Sequence, residues 1–106
     1  MYTNGSFTKN CVNASRFILP EVRKGDPSAS EYHFDIQKKG WSATHDIVLC
    51  ENGNAVIDTQ LRQFKNHLGL TEAFVRKGVY SAAEYWARIP DYRNELEKAF
   101  NSYAPQ

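Results

Sequence analysis

The alternation of apolar and polar residues between positions 31 and 59 constrains the fold most, because it has the period of two that β-strands require. Tyr32, Phe34 and Ile36 point to one side of a strand, and His33 and Asp35 point to the other. The pattern predicts three consecutive strands, at residues 31–37, 44–50 and 54–59. A Lys-Lys-Gly turn and a Glu-Asn-Gly turn separate them. Strands joined by turns this short are expected to form an antiparallel three-stranded meander.

Apolar residues at helical spacing predict helices on both sides of this sheet in the sequence. The first helix is predicted over Cys11–Leu19, with Asn10 as its N-cap and Pro20 as its end. Helical segments after the sheet are expected to start near Leu61, at Thr71, after Ser81 and at Asp91. The third of these has the Ser-x-x-Glu spacing of a capping box. A helix, a small sheet and then helices define the α+β class.

Length, charge and the absence of certain motifs narrow the classes of function that the sequence predicts. The chain has 106 residues, of which 42% are apolar, which suits a single domain over residues 1–106. A net charge of +1 with scattered basic doublets predicts no nucleic-acid partner. No apolar run approaches the roughly 18 residues of a membrane span, and no signal-peptide pattern is present, so we expect a soluble chain with no membrane partner. No metal-ligand spacing or phosphate-binding loop occurs, so no metal or other cofactor is predicted.

The two cysteines differ in their predicted surroundings. Cys11 falls in the predicted first turn of a helix, where the helix dipole and free N–H groups lower a thiol pKa and can bind an oxyanion. Cys50 ends an apolar strand and is expected to be a core residue that points away from the face of His45. Cys11 is therefore the candidate nucleophile.

A base and an orienting carboxylate are predicted on the sheet. His45 begins the second strand and Asp58 ends the third. The two residues lie directly opposite each other with a loop at Glu51–Asn52, or diagonally with a loop at Glu51–Asn54. In both registers their side chains share one face, which is expected to bring them to Cys11 as base and orienter of a nucleophile. The residues expected to pack that face against the first helix are Ile47, Leu49 and Val56.

Three stretches resemble the papain-like fold: Asn-Cys-Val-Asn-Ala at 10–14, His-Asp-Ile-Val at 45–48 and Gly-x-Ala-Val-Ile-Asp-Thr-Gln at 53–60. With Cys, His and Asp in that order, they are most similar to bacterial papain-like toxin and effector domains, some of which are protein-glutamine deamidases and others proteases. The resemblance covers residues 10 to about 64. It implies a catalytic helix packed on a small antiparallel sheet. It also implies Cys11 as nucleophile, His45 as general base and Asp58 as orienter.

The same resemblance implies an activity and partners. The chain would be a cysteine-dependent amide hydrolase, with a deamidase, protease or transglutaminase reaction on a protein or peptide. Asn10 and the Cys11 backbone N–H are the oxyanion-hole candidates, since no Gln precedes the cysteine, and Gln60 is an auxiliary candidate. A cognate inhibitor or immunity protein is expected, as is delivery into a target cell within a larger secreted protein.

Two alternatives stay open at this point. One is a non-enzymatic binding module of the immunity or adaptor type, in which Cys11 is buried and far from His45. The other is cell-wall peptide hydrolysis of the NlpC type, which would require delivery to the periplasm. The remaining histidines, His33 and His67, are interpreted as surface residues.

Overall fold

A four-stranded antiparallel sheet forms the centre of the fold. The computed structural model describes residues 6–38, 40–93 and 96, with side chains from Val12 onward. The strands are β1 (Ser30–Lys38), β2 (Trp41–Cys50), β3 (Ala55–Ile57) and β4 (Val79–Ser81). They lie in the order β1-β2-β3-β4, and every neighbouring pair is antiparallel. The α+β class and the three predicted strands are confirmed. The sequence pattern did not predict β4, which is only three residues long.

The turn between β2 and β3 settles the register that the sequence left open. Val48 pairs with Ile57 and Cys50 pairs with Ala55, so the hairpin has the four-residue loop. Asn52 in this loop has φ 57° and ψ 35°, a left-handed conformation that asparagine tolerates better than most residues. The chain reverses here through consecutive residues with positive φ, Glu51, Asn52 and Gly53, of which the glycine adopts this conformation at no steric cost.

Within the described residues, helices pack around the sheet at α1 (Ser6–Gly25), α2 (Lys65–Leu68), α3 (Glu72–Lys77) and α4 (Ala82–Arg88), with a 3-10 turn at Leu61–Phe64 before α2. Their ends follow local rules. Gly69 caps α2 at φ 63°, and the Thr71 side chain accepts the Phe74 N–H at the start of α3. The predicted capping box at the start of α4 is present. The predicted helix from Asp91 lies mostly outside the described residues.

Helix α1 extends beyond its prediction at both ends. It already includes Ser6, so Asn10 is a residue within the helix and its predicted role as N-cap is wrong. The predicted end at Pro20 is also wrong, because the helix continues to Gly25. A proline inside a helix costs about 3 kcal/mol through one lost hydrogen bond and a steric clash. Leu19 and Val22, on either side of Pro20, pack against the sheet, and this burial offsets the cost.

The sheet has an apolar core on each face. The larger core joins the sheet to the C-terminal half and contains Phe34, Ile36, Ile47, Val56, Leu61, Phe64, Leu70, Phe74, Val75, Tyr80, Tyr85 and Ile89. The smaller core joins the sheet to α1 and contains Leu19, Ala29, Val48 and Cys50.

The face that α1 covers was predicted wrongly. Ile47, Leu49 and Val56 were expected to contact the first helix, but they pack with the larger core instead. The physical reason is that β2 is apolar on both faces, so its alternation does not decide which face the first helix covers. None of the helices in the described ranges combines the length and the apolar character that crossing a membrane requires.

Candidate functional site

The structure brings His45 and Asp58 together, as the sheet register implies. His45 Nε2 lies 2.7 Å from Asp58 Oδ2. Asp58 directly follows β3, and its Oδ2 also accepts a hydrogen bond from the Tyr85 hydroxyl of α4 at 2.5 Å. The backbone N–H of Gln60 donates to Asp58 Oδ1 at 2.9 Å. Asp58 therefore connects β2, the end of β3 and α4, and Gln60 lies beside it.

The His45–Asp58 pair is sealed from solvent. The side chain of His45 is 0% exposed and that of Asp58 is 1% exposed. Phe34 and Phe64 lie against the imidazole edge to face, with ring centroids 5.7 and 4.7 Å away. The pair is therefore a buried hydrogen-bonded link beside the aromatic rings of the larger core.

Cys11 belongs to the other side of the sheet. Helix α1 packs on the face of Val48 and Cys50, whereas His45 faces the larger core. Because α1 includes Ser6, Cys11 is at least its sixth residue, and the N–H groups that a helix leaves free belong to its first four. The predicted first-turn position is wrong, and the structure does not bring α1 to His45. The side chains of Cys11 and Asn10 lie outside the described residues.

A second histidine–carboxylate pair lies on the face that α1 covers. His33 of β1 and Asp46 of β2 are directly opposite in the register, and His33 Nδ1 lies 3.1 Å from Asp46 Oδ1. The Asp46 side chain is 0% exposed, whereas that of His33 is 53% exposed. His33 Nε2 makes no hydrogen bond with any described residue. This pair therefore has a buried orienting carboxylate and an accessible ring nitrogen.

A solvent-open cavity of about 390 Å³ lies beside this pair, between α1 and the sheet. It is lined by Val12, Arg16, Glu31, His33 and Asp46. Val12, which lines the cavity, directly follows Cys11 in α1. The backbone thus puts the candidate nucleophile next to the cavity that contains His33.

The carboxylates of the cavity have shifted pKa values. Burial, together with the neighbouring Glu31, raises the pKa of Asp46 to about 6, although hydrogen bonds from His33 and Ser15 oppose the rise. The pKa of Glu31 is lowered, chiefly by its hydrogen bond with Asp46 and also by Arg16, whose Nε lies 3.3 Å from the carboxylate. Above pH 6, Asp46 is therefore ionised and able to hold His33.

The pairing of His33 with Asp46 follows from the register of the first hairpin, although the alternation of apolar and polar residues alone does not indicate it. The hairpin that Lys38 and Trp41 close pairs positions whose numbers sum to 79, which sets His33 opposite Asp46. The prediction that His33 is a surface residue is confirmed, whereas the sequence pattern assigns no role to Asp46. Only the position of α1 shows that their face borders a cavity.

No group of three or more His, Cys, Asp and Glu side chains within the described part of the chain could hold a metal ion. No protein family model, curated protein or solved structure matches this chain. The class of site therefore rests on geometry: an accessible imidazole, oriented by a buried carboxylate, beside a helix that carries a cysteine.

Proposed function

We propose that the chain is a cysteine-dependent amide hydrolase of the papain-like type, with Cys11 as nucleophile, His33 as general base and Asp46 as orienting carboxylate. The observation that supports it is the half-exposed His33, hydrogen-bonded to the buried Asp46, in a cavity lined by Val12, the residue that follows Cys11 in α1. His33 and Asp46 replace the predicted His45 and Asp58. The proposal keeps the bacterial toxin or effector role, the protein or peptide substrate and the cognate inhibitor that the resemblance implies.

The chemistry follows from the pair. His33 Nε2 takes the thiol proton of Cys11, and the thiolate attacks an amide carbonyl carbon. The resulting imidazolium, stabilised by ionised Asp46, gives its proton to the departing amine or ammonia. Water, deprotonated by the same histidine, then hydrolyses the thioester. Because the pKa of Asp46 is about 6, the imidazolium loses this stabilisation as the pH falls through 6, and the rate is expected to fall with it.

The test is the pH dependence of iodoacetamide alkylation, measured by peptide mass spectrometry at Cys11 and Cys50 separately. An activated Cys11 is expected to react well below the ordinary thiol pKa of about 8.5. Cys50 is an internal control, because it is buried and its burial raises its pKa. We expect His33→Gln to slow the alkylation of Cys11 about tenfold at pH 7, which corresponds to roughly 1.4 kcal/mol.

The matched control is His67→Gln, since His67 is exposed and its ring stacks on Trp41 with centroids 4.3 Å apart. This variant is expected to leave the alkylation of Cys11 unchanged. If Cys11 reacts as an ordinary thiol and His33→Gln has no effect, the proposal fails. The non-enzymatic binding module then becomes the better explanation, an alternative that the position of Cys11 inside a helix favours.

A further inference from the structure

We infer that the outer edge of β1 is a self-association surface, on which two copies of the chain pair their β1 strands antiparallel about a two-fold axis at Phe34. The pairing brings His33 of each copy beside the partner's Asp35. It joins the two sheets into one continuous sheet with the two β1 strands at its centre. The surface is a sheet edge, and its role is independent of the proposed function.

The first observation is that the edge of β1 is long and regular. The strand order ends at β1, so one edge of this nine-residue strand has no neighbouring strand within the described residues. Its register with β2 runs from Ser30 to Lys38 without a bulge, and these nine residues include no proline. Bulges and prolines are devices that prevent an edge strand from pairing with another chain. β1 is therefore suited to strand addition, whereas β4 at the opposite edge has only three residues.

The second observation is which backbone groups of β1 face outward. The Asp58 N–H donates to the Gly78 carbonyl and the Ala82 N–H donates to the Asn54 carbonyl, so the even-numbered residues of β3 bond to β4. The hydrogen bonds of an antiparallel strand alternate between its two neighbours. Through the registers of the sheet, this alternation turns the even-numbered residues of β1 toward β2. The residues whose N–H and C=O groups point away from the sheet are Glu31, His33, Asp35 and Gln37.

The third step is that charge selects one register for two such edges. With the axis at Phe34, all nine residues pair, and His33 lies opposite the partner's Asp35 at two symmetric positions. An axis at His33 would set Glu31 opposite the partner's Asp35, and an axis at Asp35 would set the two Asp35 carboxylates opposite each other. Opposite charges facing each other across a strand pair are stabilising, and like charges are destabilising. The register centred on Phe34 therefore combines the longest pairing with complementary charge.

The side chains that would meet are accessible. His33 is 53% exposed and Asp35 is exposed. Residues directly opposite in a strand pair have Cβ atoms roughly 4.5–5.5 Å apart, which is within reach of an imidazole and a carboxylate. His33 Nδ1 already contacts Asp46 at 3.1 Å, and the imidazolium form donates from both ring nitrogens. It can therefore hold Asp46 in its own chain and the partner's Asp35 at the same time.

Other charges surround His33 within its own chain. Arg16 of α1 and Glu31 of β1 also line its cavity, and these two side chains bond to each other. Asp35 makes no ion pair with any described residue, so its carboxylate is available to the partner. Because the partner's Asp35 would cover His33 Nε2, the monomer is the form in which this nitrogen is open.

The dimer is expected to be weak, because one pair of strands forms an interface at the small end of the range for specific complexes. We expect a dissociation constant on the order of 0.1 mM. The chain would then be monomeric at the low micromolar concentrations that unfolding and alkylation assays use. At about 1 mM, only about one chain in five would remain monomeric.

The experiment combines analytical ultracentrifugation with NMR amide hydrogen exchange at pH 6.5, from about 10 µM to about 1 mM protein. We expect the mass to rise toward that of a dimer. Over the same range, exchange should slow about fivefold at the outward amides of β1, which are those of Glu31, His33, Asp35 and Gln37. The even-numbered amides of β1 already bond to β2, so their exchange should not follow the concentration.

Two variants change the charge of the edge in opposite directions. Asp35→Lys sets a cation beside the partner's His33 and should weaken association at least tenfold. Gln37→Lys sets a lysine opposite the partner's Glu31 and should strengthen association about fivefold, through two new pairs of about 0.5 kcal/mol each. The matched control is Glu21→Lys, which makes the same change of charge as Asp35→Lys at an exposed position of α1 and should associate like the wild type.

The possible results are distinct. A chain that stays monomeric at about 1 mM overturns the inference. A dimer with unprotected outward β1 amides, or one that Asp35→Lys and Glu21→Lys weaken equally, forms through another surface and also overturns it. A dimer that Gln37→Lys does not strengthen rejects the register centred on Phe34. The alkylation of Cys11 is measured on the monomer, so the proposed function stands or fails separately from these results.

Discussion

The hydrogen bonds around Asp58 allow a direct test of which histidine is structural. The carboxylate accepts from His45 Nε2, from the Tyr85 hydroxyl and from the Gln60 N–H, and its side chain is 1% exposed. Asp58→Ala removes the acceptor for all three donors and leaves a polar histidine and a hydroxyl in an apolar core. If the His45–Asp58 pair holds the fold together, this variant loses stability and does not change the intrinsic reactivity of Cys11.

The size of the loss follows from the burial. Removing the acceptor of a buried hydrogen bond costs about 1–3 kcal/mol, so Asp58→Ala, which removes the acceptor of three, is expected to cost about 3 kcal/mol or more. Tyr85→Phe removes the hydrogen bond from its hydroxyl to the Asp58 carboxylate and is expected to cost about 1.5–3 kcal/mol. A domain of this size has a total stability of roughly 5–15 kcal/mol, so Asp58→Ala removes a large fraction of it.

The assay is equilibrium unfolding in urea, followed by tryptophan fluorescence. Trp86 reports on this region, since its ring contacts that of Tyr85 edge to face at 4.9 Å. The control is Asp35→Ala, which removes an exposed carboxylate and should change the free energy of unfolding by no more than about 0.5 kcal/mol. Cys11 alkylation in Tyr85→Phe, under conditions where the variant is folded, should match the wild type.

The reasoning is refuted if Asp58→Ala and Tyr85→Phe unfold within about 0.5 kcal/mol of the wild type. It is also refuted if Tyr85→Phe stays folded and slows the alkylation of Cys11 as much as His33→Gln does. Either result would return His45 and Asp58 to the catalytic role that their sequence positions predict.

Three further variants test separate parts of the structure. The raised pKa of Asp46, about 6 against about 4 when unfolded, adds stability below pH 4 that is lost as the pH rises through 6, on the order of 2–3 kcal/mol. Asp46→Asn should therefore flatten the dependence of urea unfolding on pH between these values, and an unchanged slope would contradict the assignment. Pro20→Ala should restore the hydrogen bond to the Arg16 carbonyl and stabilise the domain by about 1–2 kcal/mol in thermal unfolding, and a loss of stability would argue against a continuous α1. Ser81→Ala removes the cap that accepts the Glu84 N–H and should cost about 1 kcal/mol in urea unfolding, whereas no change would mean that the capping box contributes nothing.

Local interactions were largely predictable from the sequence. The strands follow from alternation, and the helix ends at Gly69, Thr71 and Ser81 follow from the residues themselves. In each case the groups that interact are a few residues apart, so the contact can be predicted from residues that are close in the sequence. The contact between His45 and Asp58 was also predictable, because the register of a single hairpin relates the two residues.

The assembly of the site depended on tertiary structure. β2 is apolar on both faces, with Ile47 on one and Val48 on the other, so no local pattern states which face α1 covers. Packing of α1 on the Val48 face also carries the helix through Pro20, against its local preference. That same packing encloses His45 away from α1 and leaves His33 and Asp46 beside it. The identity of the accessible histidine is thus decided by which face α1 buries, because burial is a property of the whole core and not of neighbouring residues.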